Sequence, residues 1–411
     1  MKNRSLMAVF FVVLMDLMGF GIVLPLLPFY ADKFNASSIM IGFLYSIYSL
    51  SQLFFSPLWG ALSDRIGRRP VMLVSTFGSS FSYLIFALSS SLPLLFFSRM
   101  LAGVMGGNIA TAQAYIADVT SPAERTRGMG ILGAAFGIGF VIGPSLATLF
   151  IHPGFHRVIG SAGFPAASAA LAAHSFAILG LFAMLLSLVS FLLVLFWLPE
   201  SRVPGTSGAG SERAGVFSAR FWRNLFSTGR SKYFLMLAGS ALLLSLAHSS
   251  LYSAFPLFSR DRLGMSPSQV GTQYVIMGFI AVMIQGGLIR ALARRFREES
   301  IFLAGCILMA AGLLLVPCSV SPRTLTIFLS FLAVGSSFNG PTLNSLVSKE
   351  SDEDHLGATM GMVQGLSGLG RAIGPTWGGF LFGFSPSLPF YATACVVSFT
   401  VYVGMRMRRI P

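Results

Sequence analysis

Met129 to Pro144 reads MGILGAAFGIGFVIGP, and Met360 to Pro375 reads MGMVQGLSGLGRAIGP. The Met-Gly pair, Gly137, Gly139 and the closing Ile-Gly-Pro, which holds Gly143 and Pro144, all recur at one constant offset. The same offset carries Asn108 onto Asn339. A match at such a long separation predicts a fold built from two copies of one unit. Chance likeness between Gly-rich helices is the rival explanation, and the order of the surrounding segments argues against it.

Both copies lie in apolar surroundings. The chain has 411 residues, 54% hydrophobic and 10% charged, whereas soluble domains carry about 25% charged residues. Runs long enough to cross a ~30 Å hydrocarbon core as helices recur throughout. They fall at 6–29, 39–62, 71–91, 94–117, 128–150, 173–198, 233–258, 269–289, 300–319, 324–347, 357–383 and 387–405. The alternating ten-residue segments of a β-barrel are absent. The expected class is an all-α integral membrane protein with twelve transmembrane helices. Residues 198–215, LPESRVPGTSGAGSERAG, read as a linker from their Gly, Ser, Pro and charge content. The expected division is a six-helix bundle over 1–198, a cytoplasmic linker over 199–231 and a second six-helix bundle over 232–411. Two such pseudo-symmetric halves are a recurrent transporter plan, with substrate bound near the midplane. The start, MKNRSLMAVFF, is read as a retained first span. Its apolar run is too long for a signal peptide, contains Asp16 and lacks a small-residue cleavage site.

The net charge of +14 invites a nucleic-acid reading. Placement answers it. With the N-terminus inside, one face receives Lys2, Arg4, Arg65, Arg68, Arg69, Arg125, Arg127, the Arg202 to Lys232 group, Arg290, Arg294, Arg295, Arg297, Lys349, Arg406, Arg408 and Arg409. The other receives only Lys33, Arg157, Arg260, Arg262 and Arg323. That asymmetry follows the positive-inside rule and puts both termini in the cytoplasm, so no nucleic-acid partner is expected. Cys306, Cys318 and Cys395 lie in or at the ends of apolar spans without ligand spacing, so neither a disulfide framework nor a metal site is expected.

The loop after span two, GALSDRIGRRP at 60–70, carries a more specific signal. Read alone it is a solvated basic turn. With Gly60, Asp64, Gly67, Arg68 and Arg69 at its key positions, it resembles the signature loop between spans two and three of the major facilitator superfamily. That resemblance implies a latch at the cytoplasmic mouth, present in one of two rocking states. Asp64 would sit by the N-terminus of the eleventh helix, where the dipole favours negative charge, and Arg68 would engage Asp118 at the end of span four. The corresponding loop of the second half, GLIRALARRFREES, lacks the Asp and the second Gly. RMLAGVMGG, Arg99 to Gly107, resembles the span-four arginine motif of proton-coupled members. GIGFVIGP, Gly137 to Pro144, resembles the span-five antiporter motif of drug-efflux members, followed here by SLATL in place of further glycines. With AYIADVTSPAERTRG and LPES, the similarity covers nearly the whole chain and is strongest to twelve-span drug:proton antiporters of the tetracycline-efflux type. Glycines in span five also have a plain packing role, and the two roles are compatible. No acid lies within spans three or nine, which argues against tetracycline itself as substrate.

A charge at the bilayer centre costs at least ~2.5–3.5 kcal/mol and faces a cavity or a partner. Three stand out: Asp16, Arg99 and Arg371. Asp16 lies roughly 15 Å into span one. Arg99 is a few residues from the outer end of span four, where it either approaches Asp16 or snorkels outward. Arg371 is deep in span eleven. Polar residues at helical spacing share faces with them: Gln364, Ser367 and Arg371; Tyr45, Ser49 and Gln52; Ser245, His248 and Tyr252. Asn108, Gln113 and Asn339 add to this set. Such stripes line a water-accessible cavity or bond helix to helix. His248 is a second proton site, a substrate contact or a buried neutral residue.

A carboxyl takes up or releases its proton according to desolvation and neighbouring charge. Asp16 is therefore expected to carry the coupling proton, with Arg99 modulating it. Phe and Met suit large, variable ligands, so the leading expectation is a proton-coupled efflux antiporter for amphipathic drug-like compounds. It would work by alternating access, as a monomer in the plasma (inner) membrane, with small-molecule substrate, protons and lipid as partners and no cofactor. Two intramembrane arginines against one carboxylate leave neutral, zwitterionic and anionic substrates open. The rivals are a proton-coupled importer of a sugar or organic acid, and a receptor or scaffold without transport. An enzyme is disfavoured because no nucleophile, base and orienting residue occur together.

Overall fold

The computed structural model describes residues 2–120, 122–201, 232–350 and 356–407. Among these residues every regular element is helical and no strand occurs. Of the expected linker only 199–201 and Lys232 beyond it are described; 202–231 lie outside. Span one, expected as one run over 6–29, is instead α1 (Lys2–Val23) and a short α2 (Leu27–Asp32). Pro25 lies in the turn between them and has no N–H with which to continue the ladder. α3 (Ser38–Ile66) and α4 (Arg68–Ala87) follow. Span four is cut in two: α5 (Leu92–Met105), a 3-10 turn over Gly106–Asn108, and α6 (Ile109–Val119). α7 (Pro122–Ile151) is span five, and a further short helix, α8 (Pro153–Ser161), precedes α9 (Pro165–Trp197). His174 in α9 has φ −125° and ψ 30°, so the helix kinks where span six was expected to begin.

The second half contains α10 (Lys232–Leu263) and α11 (Pro267–Met283), then a π-helical turn at Ile284–Leu288 leading into α12 (Ile289–Ala293). α13 (Glu298–Leu315), α14 (Pro322–Lys349), α15 (Leu356–Phe382) and α16 (Leu388–Met407) complete it. Ten of the spans are long and apolar enough to cross a membrane on those grounds alone. α14 and α15, with 28 and 27 residues, are long enough for a ~30 Å core at 1.5 Å per residue but more polar. Ser336, Ser337, Asn339 and Thr342 dilute one, and Gln364, Ser367 and Arg371 the other. Together these are the twelve spans read from the sequence.

The chain groups into two compact units: Met1–Ala36 with Ile47–Ser211 and Ser266–Val275, and Ser37–Ser46 with Glu212–Met265 and Ile276–Pro411. The start of span two thus belongs to the second unit and the start of span eight to the first. The core of the first unit is formed by Val9, Val12 and Val13 of α1, Met72 of α4, Tyr115 and Ile116 of α6, Leu132 and Ala135 of α7, and Val194 of α9.

The repeated glycines do the same work in both units. A Cβ on Gly139 would lie 2.6 Å from Leu17 Cβ, and one on Gly143 would lie 2.7 Å from the Met18 carbonyl oxygen and 2.8 Å from Gly21 Cα. α7 therefore touches α1 backbone to backbone. In the second unit a Cβ on Gly370 or Gly374 would strike the carbonyls of Leu242 and Leu246, bringing α15 onto α10 in the same way. Gly137 differs, since nothing lies within 4 Å of its missing Cβ. Matching the contacts aligns Leu14 with Leu242 and Met18 with Leu246, which sets the buried Leu244 where the first unit has Asp16.

Candidate functional site

Asp16 is half-buried on α1. Its Oδ2 accepts a hydrogen bond of 3.0 Å from Asn108 Nδ2, while Oδ1 is shielded from solvent and has no hydrogen-bond partner among the described residues. Asn108 is 3% exposed and ends the 3-10 turn of span four. That turn leaves carbonyls outside a regular α ladder, and α3 supplies donors to them. Trp59 Nε1 donates to Val104 O at 2.6 Å, Gln52 Nε2 to Gly106 O at 2.9 Å and Ser56 Oγ to Gly107 O at 3.3 Å. A break at membrane depth persists only where neighbouring groups re-satisfy the backbone in this way. Gln52, read from its stripe as lining a cavity or bonding helices, here bonds helices.

Arg99 is 2% exposed, so it does not snorkel, and the described hydrogen bond to the Asp16 carboxylate comes from Asn108. The Arg99 guanidinium lies 4.6 Å from the Phe86 ring centroid and 5.6 Å from that of Tyr83. A desolvated guanidinium gains ~2 kcal/mol or more from such faces. The Tyr83 hydroxyl abuts Gly19 of α1, where an added Cβ would lie 2.7 Å away. Tyr83 therefore stands between the helix of Arg99 and the helix of Asp16.

The loop residues converge at the other end of the first unit. Gly67 has φ +104°, open to glycine alone, and a Cβ there would also collide with the Glu200 carboxylate. This brings Arg68, 5% exposed, into a network. Its Nη1 lies 2.7 Å from Asp64 Oδ1 and donates to Ser63 Oγ at 2.6 Å, and its Nε lies 3.0 Å from Asp118 Oδ2. Ser63 in turn donates to the Gly60 carbonyl at 2.8 Å, and Ser201 Oγ to Asp118 Oδ2 at 3.1 Å. Arg69 Nη2 donates to Leu195 O at 2.7 Å. Glu200 was missed as a functional residue, although it stands in the LPES stretch. Its two oxygens accept the backbone N–H groups of Arg68 at 2.9 Å and Arg69 at 3.1 Å. Gly67 offers no side chain as cap, so a carboxylate from the far end of α9 caps α4 where the helix dipole is positive. The expected seat of Asp64, at the start of the eleventh helix, borders residues 351–355, which lie outside the described residues.

The second unit assembles a different group. His248 and Tyr252, one turn apart on α10, meet edge to face at 5.8 Å, and the Tyr45 ring lies 6.1 Å from Tyr252. Arg371 of α15 is near enough to act electrostatically on both His248 and Tyr252. The frame is close-packed: a Cβ on Gly42 would strike Pro375, and Ser46 Oγ accepts from Thr376 N at 3.1 Å and Thr376 Oγ1 at 2.8 Å. Asn339, the repeat partner of Asn108, is buried and bonds sulfur instead of carboxylate, with Cys306 Sγ at 3.7 Å and Met309 Sδ at 3.9 Å. Gln113 and Gln364 are exposed on α6 and α15.

The sequence matches the Major Facilitator Superfamily over residues 9–375, and again over 287–409. It is 30% identical over 378 residues to the class B tetracycline resistance protein of Escherichia coli, covering 91% of this chain and 87% of that one. It is 27% identical over 399 residues to multidrug resistance protein 2 of Bacillus subtilis, covering 96% and 91%. The crystal structure of the human organic anion transporter MFSD10 (TETRAN) superposes with a TM-score of 0.70 at 24% identity, covering 98% of this chain and 99% of that one.

Proposed function

Because the chain belongs to the Major Facilitator Superfamily, we propose that it is a proton-coupled efflux antiporter exporting amphipathic drug-like compounds by alternating access. It works as a monomer in the plasma (inner) membrane, with both termini in the cytoplasm. The efflux direction draws support from the tetracycline and multidrug resistance relatives. Proton coupling rests on one observation, the state of Asp16. Oδ2 is held by the Asn108 amide, and the shielded Oδ1 has no hydrogen-bond partner among the described residues, so a proton arriving at Oδ1 displaces no bond described there. Buried polar atoms are as a rule satisfied, and an exception on a carboxylate within a membrane span is a functional position.

In this reading the proton enters and leaves at Oδ1, and Asn108 passes the change to the broken span four. Substrate from the cytoplasm competes with the proton for the same state of the first unit, which yields exchange. The Arg68 network is the latch that holds one state. Asp16→Asn keeps the shape and removes the titrating group. In proteoliposomes this variant is expected to lose gradient-driven transport while still binding substrate. Active transport at the wild-type rate by Asp16→Asn would refute the assignment.

A further inference from the structure

We infer that a cavity in the first unit, at the end opposite the Arg68 network, binds the phosphodiester headgroup of a membrane phospholipid, with Lys33 and His174 as its donors. The cavity measures about 230 Å³ and is lined by Tyr30, Lys33, Phe34, Ser89, His174 and Phe176, the rest being alanine. It lies where α2 and α4 end and where α9 kinks at His174. α4 has 20 residues and so runs ~30 Å, the thickness of a hydrocarbon core. Arg68 opens that helix and Ser89 follows it, so the cavity sits one core thickness from the Arg68 network, at headgroup depth.

The walls are assembled by contacts within the protein. The Tyr30 hydroxyl donates to the Ser89 carbonyl at 2.7 Å and lies 3.3 Å from the Phe86 carbonyl, which fixes α2 on the end of α4. Its ring stacks on Phe176 at 5.2 Å with an interplanar angle of 3°, tying both to α9, and the Phe34 ring lies 5.7 Å from it. Ser89 Oγ donates to the Ile85 carbonyl at 2.7 Å. The hydroxyl protons of Tyr30 and Ser89 are thus engaged inside the protein, and the side chains left to donate into the cavity are Lys33 and His174. Lys33 Nζ stands 4.5 Å from the Phe176 centroid and 5.9 Å from that of Tyr30. Aromatic faces hold an ammonium in place without neutralising it. No acidic side chain lines the cavity among the described residues; Asp32, next to Lys33 in the chain, is not part of the lining.

A cation fixed in this way attracts an anion, while a ligand cation would meet like charge on the faces that Lys33 already covers. The volume is below the ~300–1,000 Å³ of sites that enclose drug-sized compounds, so the ligand is a small anionic group whose remainder lies outside. In a bilayer the anion present at this depth is the lipid phosphodiester, and basic pockets between transmembrane helices take such headgroups. Bound there, it bridges Lys33, just past the break in span one, and His174, at the kink of span six.

The test uses the purified full chain in detergent and counts bound lipid by native mass spectrometry. The probes are dioleoylphosphatidylglycerol and dioleoylglycerol, which share their acyl chains, with inorganic phosphate and glycerol 1-phosphate as soluble competitors. Phosphatidylglycerol is expected to bind at least about tenfold tighter than dioleoylglycerol. Lys33→Gln should weaken it about tenfold and leave dioleoylglycerol within about twofold, whereas Lys33→Arg should keep the affinity. His174→Phe should weaken it about threefold. Ala173→Leu narrows the cavity with every donor in place and should also lower phosphatidylglycerol binding. Unfolding midpoints read from tryptophan fluorescence show that each variant is folded. Arg157→Gln, which removes an exposed cation of α8 outside the cavity, should change nothing. Equal affinity for the two lipids, no bound phosphatidylglycerol, or an equal loss in Lys33→Gln and Arg157→Gln overturns the inference. Displacement of the lipid by millimolar phosphate or glycerol 1-phosphate also overturns it, by marking the cavity as a site for soluble anions.

Discussion

Gly137 and Gly143 belong to one motif on one helix, yet the structure separates them sharply. Changing either to Ala adds the same methyl group and the same gain in helix propensity, ~1 kcal/mol. That gain cancels in the comparison. What remains is the steric difference. At Gly143 the new Cβ would lie 2.7 Å from the Met18 carbonyl oxygen, 2.8 Å from Gly21 Cα and 2.9 Å from Gly21 C, all backbone atoms that move only if the helices part. At Gly137 nothing lies within 4 Å. Overpacking against atoms that cannot rotate away costs ~1–3 kcal/mol, so Gly143→Ala should be less stable than Gly137→Ala by about that amount. Gly137→Ala should match or exceed the wild type. The four tryptophans provide a fluorescence signal for thermal unfolding in a single detergent, and Gly374→Ala should behave as Gly143→Ala does. Equal midpoints for the Gly137 and Gly143 variants, or a lower midpoint for Gly137→Ala, would refute the contact geometry.

Glu200→Gln keeps an acceptor at the start of α4 but removes the charge, and should cost ~0.3–1 kcal/mol. Glu200→Ala also leaves the Arg68 and Arg69 N–H groups uncapped and should cost ~1–2 kcal/mol; unfolding midpoints that do not rank in that order contradict the capping role. Trp59→Phe removes the donor to Val104 O and should cost ~1 kcal/mol. Hydrogen exchange of the amides around Gly106–Asn108 should rise in that variant, and unchanged exchange would show that Trp59 does not hold the break.

The twelve spans and their two-fold repetition were legible because run length and glycine spacing are local records of membrane thickness and helix contact. The loop network was legible in part. Arg68 and Asp118 advertise themselves as opposite charges beside fixed glycines, whereas Glu200 caps a helix begun more than a hundred residues earlier and carries no local mark of it. Asp16 was found as a charge out of place. Charge complementarity points to Arg99 and says nothing of Asn108, whose amide bonds the carboxylate, or of the Phe86 and Tyr83 faces against which the guanidinium packs. Gln52 shows the limit of periodicity. A polar stripe records which face is polar, and the carbonyls it meets are exposed only because the Gly106–Gly107 doublet sits at a break, a doublet equally at home in a continuous helix.

The cut in span four makes it two rods on a knuckle. The inner rod, Ile109–Val119, ends at the carboxylate that grips Arg68, and the outer rod, Leu92–Met105, carries the guanidinium packed on Phe86. Asn108 stands at the joint, just past the Val104, Gly106 and Gly107 carbonyls that Trp59, Gln52 and Ser56 hold. In the proposed cycle, a displacement of the loop is therefore expected to reach the side chain that holds Asp16 before it reaches the outer rod.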